Sequence, residues 1–172
     1  MATLPEPWLR GPIPGVHPLT APILHAFQQA REDLAHYTAG LTPEELWTAP
    51  AGGGSVGFHI RHIAGSTRRL FTYVQGRQLN AEQLARLAWE TTPGASLRVL
   101  LDDLESALQE AEEVVRGIDP STLAEPREVG RQKLTATVAG LLAHVAEHTQ
   151  RHVGEAIVTA RWVRAGKPRR NP

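Results

Sequence analysis

Four long stretches of this chain repeat their apolar residues at helical spacing, and no stretch reads as a strand. In the first, ILHAFQQAREDLAHYTAG, Ile23, Leu24, Phe27, Leu34 and Tyr37 recur at spacings of three, four and seven up to Gly40. Thr20 is its expected N-cap, with Pro22 in the first turn. The second covers about 55–75, capped by Ser55, with a stripe of Val56, Ile60, Ile63, Leu70 and Val74. The third covers about 95–117, with Leu97, Leu100, Leu101, Leu104, Leu108, Ala111 and Val115 on one side. The fourth covers about 134–165. Two short helices join them, one capped by Thr42 with Pro43 and Glu45, the other capped by Asn80. Residues 118–133, with Pro120, Pro126 and Gly130, read as loop. One apolar stripe per helix must be buried against the others, so the expected fold is an all-α four-helix bundle with short extra helices.

At 172 residues the chain has the size of one domain, 1–172, with a proline-rich arm at 1–19 and a basic tail at 166–172. Eighteen basic residues balance eighteen acidic ones, which gives no field to recruit nucleic acid or an anionic membrane. No apolar run has the length of a membrane span, and MATLPEPWLRGPIPGVHP places prolines where a signal peptide needs an apolar stretch. A cytoplasmic location is therefore expected. There is no cysteine, which removes disulfides, thiolate metal sites and cysteine nucleophiles. A metal held by this chain must use imidazole and carboxylate.

The last helix carries HVAEHTQRH, with His144, His148 and His152 four residues apart. At 100° per residue such a column drifts by about 40° per step, so only His148 and His152 turn toward the apolar arc. Two imidazoles at i and i+4 stand one above the other and can share one ion. The motif lacks the glutamate of the HExxH helix, which leaves a zincin reading unsupported. A third ligand is expected from the second helix, where periodicity favours His59 over His62. His17, His25 and His36 fit surface or capping roles.

GGGSVGFHIRHIAGSTRRLFTY and HVAEHTQRHVGEAI together resemble the DinB/YfiT-like superfamily, a likeness that extends from the first helix to about residue 165. The resemblance implies a bundle in up-down-down-up order, a homodimer, and a divalent metal on one histidine of the second helix plus the HxxxH pair. It implies His62, His148 and His152 as ligands, where periodicity pointed to His59. Many members continue with Gly-Gln after the pair, whereas this chain has Gly154-Glu155. Glu155 then either orients a ligand by hydrogen bonding to it or is a plain surface acid.

Three neutral histidines suit Zn²⁺ or Ni²⁺ and leave positions on the ion for other ligands. The resemblance implies a metal-dependent enzyme acting on a small molecule, first a transferase using a low-molecular-weight thiol, second a hydrolase. A non-catalytic metal-binding bundle, serving as a stress or dimerisation module, is the other class. It would be favoured by His59 or His144 closing the ion. Arg68, Arg69 and Tyr73 are candidates to bind an acidic substrate or the thiol cofactor, against the plainer reading that they pack on a helix surface. Trp47, Trp89 and Trp162 are expected in the core or at a dimer contact, and Glu90 has no assigned place.

Overall fold

The computed structural model describes residues 4–166. Among the described residues six α-helices form: α1 (Ala21–Thr38), α2 (Pro43–Trp47), α3 (Val56–Val74), α4 (Ala81–Leu87), α5 (Leu97–Arg116) and α6 (Val138–Ala165). Five of them start on a side chain that accepts a hydrogen bond from an otherwise free helical N–H. Thr42 and Asn80 form full capping boxes with Glu45 and Gln83. Ser55, Ser96 and Thr137 accept from Phe58, Val99 and Gly140. Thr20, the expected cap of α1, does not act as one. Its backbone is already in the helical region, and its hydroxyl donates to the His17 carbonyl at 3.1 Å. The preceding turn has wound the chain before Thr20 is reached.

The order of the long helices follows from what they touch. Gln150 on α6 donates to the Ala26 carbonyl of α1, and Arg164 donates to the Tyr37 and Ala39 carbonyls. α1 and α6 therefore run parallel. His59 faces His152 and His62 faces His148, so α3 runs antiparallel to α6. The Trp47 ring packs on the start of α3 at Gly57 and donates to the Ala95 carbonyl beside the start of α5. Further along, Arg68 of α3 reaches Asp103 and Glu110 of α5. α3 and α5 are thus parallel and need a long crossover, which residues 75–96 and α4 supply. The bundle is up-down-down-up.

The stripes meet in one core that includes Phe27, Leu34, Ile60, Ile63, Leu108, Leu142, Val145 and Val153, all essentially inaccessible. Each such side chain contributes about 1.5–3 kcal/mol when fully buried. Leu46 of α2 joins them.

One expectation fails between α5 and α6. Pro126–Val129 and Leu134–Thr137 pair as an antiparallel hairpin, with Pro126 opposite Thr137 and Val129 opposite Leu134. The sequence had read as loop and then helix. Strands of four residues are too short to show a period of two, and only Gly130 and Lys133, at φ 70° and 51°, mark the turn. α6 consequently starts at Val138 rather than near 134.

The proline-rich arm contains a 3-10 turn at Pro7–Leu9 and lies on α1, fastened by Arg10 to Glu32 at 2.6 Å. That hydrogen bond lowers the Glu32 carboxyl to about 2. The tail from Lys167 to Asn171 falls outside the described residues. No helix among the described residues is long and apolar enough to cross a membrane.

Candidate metal centre

The antiparallel pair α3 and α6 places histidines of both helices at one level of the bundle. His62 and His148 approach through their Nε2 atoms, 3.3 Å apart. The His152 ring lies 4.5 Å from the His62 ring and 4.6 Å from the His148 ring, centroid to centroid. Each of the three can offer a nitrogen, and these nitrogens lie within 4.8 Å of one another. The donor set is neutral, borderline-soft nitrogen, which fits a divalent ion such as Zn²⁺ or Ni²⁺. Phe58 stacks on His62 at 5.4 Å and covers the group from one side.

The opposite edge of the His62 ring is held by a carboxylate. His62 Nδ1 is 2.6 Å from Glu90 Oε2, and Arg69 donates to Glu90 Oε1 at 2.6 Å. Glu90 is 4% exposed, so burial works against its ionisation. The hydrogen bonds from His62 and Arg69 outweigh this and lower its pKa. An ionised Glu90 accepts a hydrogen bond from Nδ1–H of His62, which leaves the Nε2 lone pair for an ion. Gly65 makes room for this contact: a Cβ there would lie 2.6 Å from Glu90 Oε1 and 2.9 Å from Arg69 Nη1.

Burial, then the neighbouring imidazoles His152, His62 and His144, push His148 down to about 4. Burial and His62 likewise lower His152. Both are therefore neutral at pH 7, the form that binds metal.

His59 and His62 were rivals for one place, and the structure puts both against α6. His62 lies with His148 and His152. His59 lies deeper, 4% exposed, with its Nδ1 3.1 Å from His152 Nδ1 and 3.3 Å from Glu155 Oε2. His144 stands apart, exposed and 3.4 Å from Glu147. Among the described residues neither His59 nor His144 enters the His62–His148–His152 group. Glu155 Oε2 lies 2.8 Å from His152 Nδ1. Arg68 is engaged by Asp103 and Glu110, Arg69 by Glu90, and Tyr73 is buried. Of the tryptophans, Trp47 packs on the core while Trp89 and Trp162 are exposed on the single chain.

Sequence reasoning gave Glu90 no role because it follows a short helix, 28 residues from His62. A glycine in the middle of an amphipathic helix, Gly65, was the available sign that something approaches α3 closely there.

A helical bundle with a group of three histidines from two antiparallel helices is an arrangement that could hold a metal ion. The chain belongs to the DinB superfamily, whose family profile matches residues 26–156. It is similar in fold to YfiT from Bacillus subtilis, described as a probable metal-dependent hydrolase with an unusual four-helix bundle topology. The TM-score is 0.66 at 16% identity, over 92% of this chain and 94% of that one. It is also similar to a DinB-like protein from Bacillus cereus ATCC 10987, with a TM-score of 0.63 at 14% identity, over 87% and 95% of the two chains. No curated protein matches the sequence.

Proposed function

We propose that the protein is a metal-dependent enzyme in which His62, His148 and His152 hold one divalent ion, and that it transfers a low-molecular-weight thiol to a small electrophilic substrate. The observation that carries this reading is the neutral three-nitrogen set, with both nearby carboxylates turned to the Nδ1 side of the rings. A divalent ion held there supplies a Lewis acid whose charge no protein anion offsets, suited to stabilising a thiolate. Glu90 and Arg69 keep His62 in one tautomer and one orientation. Phe58 shields the group from solvent on one side. The chain has no thiol of its own, so the nucleophile must come from a cofactor.

Metal-dependent hydrolysis is the second reading. It is supported by the description of YfiT and by Glu155, a partly exposed carboxylate within reach of His152. A homodimer belongs to the proposal as well, because Val158 and Trp162 on α6 present exposed apolar surface.

The test uses protein purified without a nickel column. Its metal content is measured, and it is then assayed with a chloro-dinitroarene, with and without bacillithiol, mycothiol, glutathione or coenzyme A. Turnover that requires a thiol and disappears in His148→Ala is the expected result. Thiol-independent ester hydrolysis lost in Glu155→Gln would replace transfer by hydrolysis.

A further inference from the structure

His152 has two nitrogens, and the histidine triad uses one of them. Its Nδ1 lies against a second group, with His59 Nδ1 at 3.1 Å and Glu155 Oε2 at 2.8 Å. His59 Nδ1 and Glu155 Oε2 are 3.3 Å apart, which closes a triangle. Donors bound at about 2.0–2.1 Å to one first-row ion stand roughly 2.9 Å apart in octahedral and 3.4 Å apart in tetrahedral geometry. The edges of 3.1 and 3.3 Å fall inside this range and the 2.8 Å edge lies just below it.

The surroundings of His59 favour the same role. The Gly54 backbone lies against its ring, where an added Cβ would stand 2.8 Å from His59 Nε2. Nε2 thus faces the glycine run, while Nδ1 faces His152 and Glu155. The glycine run ahead of α3 thus has a use: it lets the backbone lie against the ring. Three potential donor atoms, the Nδ1 atoms of His59 and His152 and Glu155 Oε2, therefore converge on one point. A cation can take that place with one more donor. An open groove of about 550 Å³, lined by Gly53, Gly154, Val158 and Thr159, leads to this triangle and not to His62.

We propose that His59, His152 and Glu155 form a second metal position, sharing His152 with the triad. Two histidines and a carboxylate are an ordinary donor set for Zn²⁺ and related divalent ions. Filling both positions would displace the second ring proton of His152 to solvent and make that ring an imidazolate shared by the two ions, so the triad keeps its all-neutral donor set only while the second position is empty. The inference rests on the proposed function only through His152.

Metal-free full-length protein is titrated with Zn²⁺, and bound metal is counted after desalting. Three forms are compared: wild type, His62→Ala with His148→Ala, and His59→Ala with Glu155→Ala. Circular dichroism confirms the helical content of each. Two ions per chain in the wild type, and one in each double variant, is the expected result. One ion in the wild type and none in the His62/His148 variant overturns the second position and leaves the triad standing. One ion in the wild type that survives in the His62/His148 variant but not in the other overturns the triad and retains the new position. Copper(II) loading adds an independent readout. Two ions on one imidazolate give an exchange-coupled electron paramagnetic resonance signal, absent from both double variants. Uncoupled signals from a doubly loaded wild type would overturn the bridge.

Discussion

Glu90 and Glu155 each sit against the Nδ1 of a histidine in the triad, yet their surroundings are opposite. The Glu90 side chain is 6% exposed and locked by Arg69, while the Glu155 side chain is 49% exposed and lies one helical turn beyond its partner. A buried carboxylate is tolerable only with its charge and lone pairs fully matched, so Glu90 has one arrangement open to it. An exposed carboxylate is screened by water and can change partners at little cost. The first is built to fix a ring, the second to respond to what binds.

The largest expected effect follows from breaking the buried side of this comparison. Arg69→Met leaves Glu90 without its cation and should destabilise the fold by about 3 kcal/mol. Urea unfolding at pH 7 measures this, and a loss below 1 kcal/mol would mean that His62 and water suffice to hold Glu90. Gly65→Ala pushes a methyl group against the same carboxylate and should cost about 1–3 kcal/mol. Thermal or urea unfolding reads it, and a stabilised variant would show that Glu90 can move.

Glu90→Gln keeps the shape but removes the charge that holds the His62 tautomer. Metal affinity should fall about 10- to 100-fold, measured by competition with a chromophoric chelator. Unchanged affinity would reduce Glu90 to a structural role. Glu155→Gln, by contrast, should change fold stability by less than about 0.5 kcal/mol, the ordinary scale for an exposed side chain. A larger loss would show that Glu155 holds the helix pair together.

Acid acts on both sides at once. His148 is held at about 4, below the ordinary histidine value, so between about 6.5 and 4 the unfolded chain binds more protons than the folded one. Stability of the metal-free protein should hold above about 6.5 and decline as pH falls toward 4. Glu90, also lowered, adds a further loss below the usual carboxylate range. The His148→Ala variant should show a shallower decline across the same window, read from melting temperature against pH. An equal slope would assign the acid sensitivity elsewhere.

The bundle was legible because its signals are local and periodic. The stripes of α1, α3 and α5, the capping box at Thr42 and the caps at Asn80 and Ser55 all concern residues within a few positions of one another. Two local readings failed: the start of α6 was misplaced, because the hairpin before it is too short to carry a period of its own, and Thr20 does not cap α1, because the preceding turn already winds the chain. The HxxxH pair was legible for the same reason: spacing along one helix fixes which way two rings point.

The third histidine could not be settled that way. Residues 59 and 62 lie three apart on α3, and either can face α6 after a small rotation of the helix about its axis. Packing set that rotation, and it placed His59 deep beside Glu155 and His62 nearer the surface against His148 and Glu90. Glu90 itself comes from the crossover between two parallel helices, whose path no local pattern encodes. Residue types and spacing along α6 determined that an imidazole site would exist. Only the antiparallel docking of α3 on α6, and the crossover laid over both, decided which groups meet at each ring nitrogen.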